Sequence, residues 1–339
     1  MQAPRILAVM AAALAVALTS ACTTAPSRPE RWAAPEVFVP PSSFVGVHGL
    51  AVDKRGRLLA GSVGGNSVQA DDPATDEPAT LTSGKLAVPA GMKIADGALW
   101  VADVFALRRV DLASGEVGDV FRMQASDIEY PAAVGVSSTR FALSSWSTGT
   151  VQIIDRRSRA TVAMLHELKA PTDAMPMEDG SVLIIEAGSG ELSRLGGDGF
   201  ERRATIATGL NGPVQMVPGG DGGVFITEAA GRLVRIDLND GARTTVAAGL
   251  ALPEGLARTP WGTLAVAESM SQRVVEIDPA TGSRRTIADQ LPIGLPPGPG
   301  MPSFYIPTGV AVDDRGNVYV SADRNNAVYR IRPAATVAR

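Results

Sequence analysis

Leu252-Pro253-Glu254-Gly255-Leu256-Ala257 enters a stretch that reverses at Thr259-Pro260-Trp261-Gly262 and runs out along Thr263-Leu264-Ala265-Val266-Ala267 to Glu268. It comes back along Arg273-Val274-Val275-Glu276-Ile277, turns at Asp278-Pro279-Ala280-Thr281-Gly282 and ends in an outer run over 284–288. Short apolar or alternating runs of this kind are strands, and the Pro, Gly and Asp residues between them set turn geometry. Four strands and three turns fill one unit. The opening phrase, apolar–Gly–apolar–small–apolar, returns as Val47-His48-Gly49-Leu50-Ala51-Val52, Pro89-Ala90-Gly91-Met92-Lys93-Ile94 and Pro131-Ala132-Ala133-Val134-Gly135-Val136. It returns again, with no Gly, as Pro171-Thr172-Asp173-Ala174-Met175-Pro176, and then as Gly212-Pro213-Val214-Gln215-Met216-Val217 and Pro307-Thr308-Gly309-Val310-Ala311-Val312.

A period of about 40 residues built from short strands is the pattern of propeller blades, which cannot bury their apolar faces singly. The expected fold is therefore all-β: a β-propeller of seven four-stranded blades spanning 42–333, with a short tail at 334–339. Six blades is the alternative if the first repeat, irregular over 64–83, does not complete a sheet. The last repeat stops after Ala327-Val328-Tyr329-Arg330-Ile331 without an outer strand. Glu36-Val37-Phe38-Val39 is expected to supply it and close the ring, which removes exposed sheet edges. One segment, 292–305, breaks the period. It is too rich in Pro and Gly for a strand and too apolar for a free linker. Two placements are open: across the channel mouth, burying Leu295, Met301, Phe304 and Tyr305, or on the outer wall.

The chain starts differently. Arg5 precedes an apolar run over 6–18, and Thr19-Ser20-Ala21 supplies small residues before Cys22. This is the pattern of a secretory signal over 1–21, too short to span a membrane as a mature helix. Cys22 is the only cysteine, so no disulfide can form within the chain. Its place resembles the acylated cysteine of bacterial lipoproteins, although Thr19 stands where those usually carry leucine. The segment 22–41, rich in Thr, Ser, Pro and Ala, is expected to be a flexible tether. With Thr23 rather than Asp after the cysteine, the resemblance implies an outer-membrane lipoprotein facing the periplasm. Without lipidation the chain would be periplasmic or secreted.

A net charge of −4 and the absence of a basic stripe exclude nucleic acid as a partner. The pairs Arg108-Arg109, Arg156-Arg157, Arg202-Arg203 and Arg284-Arg285 read as solvated charge spread over separate blades. Aromatics make up 5% of the chain, so the blades must pack through Val, Leu, Ile and Ala. The chain is expected to be a monomer. No Gly-x-Ser-x-Gly elbow and no cysteine-based metal site is present, and Gly219-Gly220-Asp221-Gly222-Gly223 is a turn rather than a phosphate cradle.

The blade phrases Gly309-Val310-Ala311-Val312-Asp313-Asp314-Arg315-Gly316-Asn317-Val318-Tyr319-Val320 and Val224-Phe225-Ile226-Thr227-Glu228 resemble the group of NHL-repeat, SMP-30/gluconolactonase and virginiamycin B lyase propellers. The resemblance covers 45–333. In SMP-30-like lactonases a divalent cation sits at the channel mouth on oxygen ligands from the starts of inner strands. The resemblance implies the same here for one Ca²⁺, Mg²⁺ or Zn²⁺. Matching positions are His48, Ala90, Ala132, Thr172, Pro213, Glu254 and Thr308. Pro253-Glu254-Gly255 is similar to that family's Pro-Asp-Gly, which makes Glu254 the candidate ligand or general base, with His48 as second ligand or base. The family's Asn ligand is missing; Asp173 and Asn211, one or two residues away, are the substitutes. The lyases carry functional histidines late in the chain, and this sequence has none after His166.

A second set of acids stands at the end of the second strand: Asp103, Glu186, Glu228, Glu268 and Asp323, with Ser62 and Ser145 in the other two blades. Facing the axis, they would focus a negative field and bind a cationic ligand; facing the following turn, they would accept backbone hydrogen bonds. Lys93, in an inner strand, needs an acidic partner, and Asp103 in its own blade is the candidate. The sequence thus predicts an envelope-anchored propeller that binds a small molecule or protein at its channel mouth, with Asp173, Asn211, Glu228, Glu268, Thr308 and Tyr305 as candidate contacts. The alternative is a metal-assisted hydrolase of a lactone or ester using Glu254 and His48.

Overall fold

In the computed structural model, residues 27–41, 46–72, 75, 77–123, 129–197, 199–296 and 307–334 are described. Seven four-stranded antiparallel sheets follow one another along the chain. The first repeat completes a blade through Val47–Val52, Leu58–Ser62, Ser67–Asp72 and Glu77–Ser83, which excludes the six-bladed alternative. The seventh blade uses Val310–Val312, Val318–Ala322 and Ala327–Ile331, and Glu36–Val39 adds its outer strand, as expected. Glu36 lies opposite Arg330 in that pairing. The Arg330 Nε donates to Glu36 Oε1 at 2.5 Å while its guanidinium covers Phe38, 4.2 Å from the ring centroid.

The first strand of each blade faces the axis, and the second is the most deeply buried; Val182–Glu186 and Leu264–Glu268 are buried at every residue. Facing sheets share aliphatic cores. Leu183 and Ile185 of blade 4, for example, pack with Val224 and Ile226 of blade 5. Burial of such side chains, each worth roughly 1.5–3 kcal/mol, holds neighbouring blades together. The turns joining strands one to two and three to four lie on one face of the ring, called here the lower face. The two-to-three turns and the crossovers between blades lie on the upper face.

The recurring glycine has a steric reason. A Cβ on Gly49 would sit 2.1 Å from the Ala90 carbonyl oxygen, and one on Gly255 2.3 Å from that of Thr308. In blades 1, 2, 6 and 7 the inner strand lies so close to the next one that only hydrogen fits between them. Blades 3, 4 and 5 carry Ala133, Asp173 and Gln215 at this place, and the last two side chains reach the next blade. Asp173 Oδ2 accepts the Met216 amide at 3.1 Å, and Gln215 Oε1 accepts that of Leu256 at 2.9 Å. Pro213 pairs with Glu228 as Pro253 pairs with Glu268, with the same irregularity after each, so Val214, rather than the expected Pro213, is the counterpart of Glu254.

The tether expected over 22–41 is shorter than its composition suggested. Arg28 bonds to Glu276 (Nη2 to Oε2, 3.2 Å), Arg285 Nη2 donates to the Pro29 carbonyl at 2.6 Å, and Trp32 packs on Trp261 with centroids 5.8 Å apart. Glu276 is fully buried and takes hydrogen bonds from Trp261, Thr263, Arg28 and Arg285. A buried carboxylate requires such partners, and the N-terminal segment provides one of them. Cys22 lies outside the described residues. So do Met301, Phe304 and Tyr305 of the 292–305 insert. Leu295, which a placement across the mouth would have buried, is 57% exposed, while Ile293 is the residue that enters the core.

Candidate functional site

All seven inner strands line a central cavity of about 410 Å³. Most of its wall is apolar, formed by residues such as Leu50, Met92, Val134, Leu256 and Val310, with Trp146 from blade 3. Polar groups come from His48, Lys93, Thr172, Asp173, Gln215 and Thr308. Among the described lining residues Lys93 is the one Lys or Arg. It is exposed to the cavity, and its charge acts on Asp173 of blade 4. The expected partner, Asp103, is instead fully buried and bound by Arg108, with Nε to Oδ2 at 3.1 Å. A lysine on an inner strand points into the channel, whereas the end of the second strand lies inside the blade; the two cannot meet.

The starts of the inner strands do bring Glu254, Thr308 and His48 to one arc of the mouth. Thr308 donates its amide to Glu254 Oε2 at 2.8 Å, and Gly309 lies against the His48 carbonyl. Glu254 is 4% exposed, and its side chain is absent from the cavity wall. Desolvation raises its pKa to about 7, against the Thr308 hydrogen bonds; the nearby Asp323 charge adds to the rise. Burial lowers the His48 pKa to about 4, so the imidazole is neutral at neutral pH, with a hydrogen bond to the Ala90 backbone opposing the shift. Desolvation raises that of Asp173, and the Lys93 charge pulls it back.

This donor set does not fit the cation that the resemblance implied. Glu254 is turned to a backbone amide, Asp173 comes from blade 4 on the far side of the ring from His48, and His48 Nδ1 is buried without a partner. Among the described residues no three His, Cys, Asp or Glu side chains gather closely enough to hold a metal ion.

The second-strand acids have a different task. Asp103 accepts the amides of Ala87 and Val88, Glu186 that of Lys169, Glu228 that of Asn211, Glu268 that of Ala251, and Asp323 that of Leu295. Four also hold an arginine: Arg108, Arg203, Arg232 and Arg273. Each thereby fastens the crossover entering its blade to the second strand. Glu228, Glu268 and Asn211 are thus structural pins away from the cavity wall, because charges buried inside a blade must be saturated there. Tyr305 lies outside the described residues. Gln215 and Trp146 were missed as lining residues. The signal for Gln215 was a long polar side chain in the glycine place of the phrase.

What the cavity offers chemically is shape, apolar surface and two groups of opposite charge character, Lys93 and Asp173. Its described wall contains two threonines and neither serine nor cysteine beside the neutral His48. No protein-family model matches the chain, and no curated protein is similar to it in sequence. Solved structures are similar in fold. A streptogramin B lyase superimposes with a TM-score of 0.69 at 12% identity, over 88% of this chain and 97% of that one. An inactivated histidine-to-alanine variant of virginiamycin B lyase from Staphylococcus aureus, with quinupristin, gives 0.68 at 12% identity over 88% and 98%. The WD40 propeller domain of Doa1 gives 0.66 at 14% identity over 85% and 93%. At these identities the likeness is one of fold, a seven-bladed β-propeller, and the same blade carries lyase and WD40 functions alike.

Proposed function

We propose that this chain is a cell-envelope propeller whose central channel binds a small, largely apolar molecule carrying one polar or charged group. The supporting observation is the cavity of about 410 Å³, apolar over most of its wall, with Lys93 and Asp173 as charged groups on separate blades that act on one another. Such a cavity is of the size and polarity that small-molecule sites usually have. The apolar run before Cys22 supports delivery to the envelope, and an acylated Cys22 would hold the protein at the outer membrane, facing the periplasm. Glu254, with a proton that leaves near neutrality, is what speaks for the hydrolase alternative; its engagement with the Thr308 amide speaks against it.

The test is a thermal-shift screen of small amphipathic molecules on the wild type and on Ala257→Trp, which puts an indole into the channel. A ligand that raises Tm in the wild type alone supports the channel site. Equal shifts in both proteins place binding elsewhere. Saturable heat on titrating Ca²⁺, Mg²⁺ or Zn²⁺, lost in Glu254→Ala, would instead favour the hydrolase. Cys22→Ser should release the protein from membranes, and unchanged fractionation would rule out the anchor.

A further inference from the structure

A second cavity, about 280 Å³, opens on the lower face between blades 2 and 3. Its walls are Trp100, Phe141 and Val120, with Arg156, Arg157 and Arg159 around them. Arg156 belongs to the floor. Its guanidinium lies 5.1 Å from the Phe141 centroid and 5.7 Å from that of Trp100, and it is bonded to Asp96 and to the Ser137 carbonyl. Asp155 is likewise occupied, by Arg140 and by the amides of Arg157 and Ser158. Glu178 accepts the Ser138 hydroxyl at 2.6 Å. Among the described residues, no ion pair or hydrogen bond engages the exposed guanidinium of Arg157 or Arg159.

The internal repeat shows why this cleft exists. Gly115, Gly241 and Gly282 end the equivalent turns of blades 2, 5 and 6, all with positive φ. A Cβ on each would meet the carbonyl oxygen of the bulged residue in the preceding outer strand: Leu81 at 1.9 Å, Ile206 at 2.2 Å and Val246 at 2.7 Å. In those three places the turn packs flush against the preceding blade. Blade 4 has Phe200 there, and its ring, 7% exposed, fills the space it creates beside Val162. Blade 3 has Arg159, at φ +56°, opposite the bulged Val120. A charged side chain in a left-handed conformation holds the blades apart without filling the gap. The result is an aromatic-floored cleft with two unpaired cations at its rim.

The N-terminal segment leaves the domain on the same face. Arg28 pairs with Asp278 in a three-to-four turn, and Trp32 packs on Trp261 in a one-to-two turn. Six peptide steps separate Arg28 from Cys22, at most roughly 20 Å. We propose that the cleft between blades 2 and 3 binds the phosphate headgroup of an anionic phospholipid, so that the lower face rests on the membrane and the upper face points away from it. The arginines meet the phosphate, and the partly exposed Val120 with the accessible edge of Trp100 takes the apolar part of the glycerol ester. The orientation rests on the acylation of Cys22; the headgroup site does not.

The experiment is co-sedimentation of the Cys22→Ser chain with vesicles of phosphatidylcholine, alone or mixed with phosphatidylglycerol. Binding should rise with the anionic lipid. It should fall more than about tenfold when Arg157→Gln and Arg159→Gln are combined. Arg159→Gly, which lets the turn close as in its sibling blades, should raise Tm and still lose binding, so that loss cannot be put down to misfolding. Equal binding to both vesicle types, or no effect of the arginine variants, overturns the proposal. Saturable binding of micromolar glycerol phosphate, lost in the arginine variants, by a chain that does not bind anionic vesicles would also overturn it, by showing a free phosphate ester to be the ligand. Acyl labelling of the wild type separates the two readings. An unlabelled Cys22 with arginine-dependent vesicle binding removes only the anchor, and a labelled Cys22 without that dependence removes only the headgroup site.

Discussion

The carboxylate of Glu254 receives the backbone amide of Thr308 at 2.8 Å, and this bond joins the inner strands of blades 6 and 7 beside the mouth of the channel. The group is almost completely enclosed and keeps its proton up to a pH of about 7. A residue with the candidate chemistry of a base is thereby a fastener.

That fastening predicts a pH dependence. The folded chain holds the Glu254 proton to about pH 7, whereas the unfolded chain releases it near the ordinary 4.5. Between those values the folded state binds more protons, so its stability falls as pH rises, by up to roughly 3 kcal/mol. Glu254→Gln, neutral throughout, should flatten urea midpoints between pH 5 and pH 8 relative to wild type. An unchanged slope would show that Glu254 is ionised in the folded protein.

His48 works in the opposite sense. Its folded pKa of about 4 lies below the ordinary 6.5, so the unfolded state takes up the proton first as pH falls. Stability is full above 6.5 and drains away toward pH 4. His48→Gln should keep more of its stability at pH 5 than the wild type, measured as the loss of denaturation midpoint on going from pH 7 to pH 5.

Steric demand around the axis gives a sharper contrast. Gly49→Ala drives a methyl to 2.1 Å from the Ala90 oxygen and should cost about 3 kcal/mol, because backbone on both sides must move. Gly97→Ala meets nothing within 4 Å, and only its φ of +70° opposes it, at about 1 kcal/mol. Chemical denaturation of the two variants measures the difference; equal losses would mean that the inner ring is looser than its contacts indicate.

Glu228 distinguishes a pin from a ligand. Its carboxylate accepts the Asn211 amide at 3.0 Å and Arg232 Nε at 2.5 Å. Glu228→Ala leaves the amide and the arginine without their acceptor, and should cost about 3 kcal/mol. Affinity for a channel ligand should be unchanged in the protein that remains folded. A stable variant with lost affinity would return Glu228 to the binding site.

Much of the architecture was legible because it is periodic. Seven recurrences of one phrase, six of them containing glycine, marked seven inner strands, and the missing outer strand of the last repeat pointed to Glu36–Val39. The candidate site was legible only as a set of strand starts. His48, Thr308 and Asp173 do line the cavity, but Glu254 turns from it, and Lys93 interacts with Asp173 rather than Asp103. Those pairings join residues from different blades, where no local spacing announces them. The Arg159 cleft was equally hidden, since a doublet of arginines looks like solvated charge until the neighbouring blade is in place.

By itself the chain determined its strand order and its closure and favoured seven blades over six, because turn residues and apolar alternation act over a few residues and repeat along the sequence; the completed first blade settled the count. Tertiary structure alone decided which polar groups face the channel and which are consumed inside the blades. Ring closure brings distant strands within hydrogen-bonding reach, and a buried carboxylate must then take whichever amide or guanidinium the next blade presents.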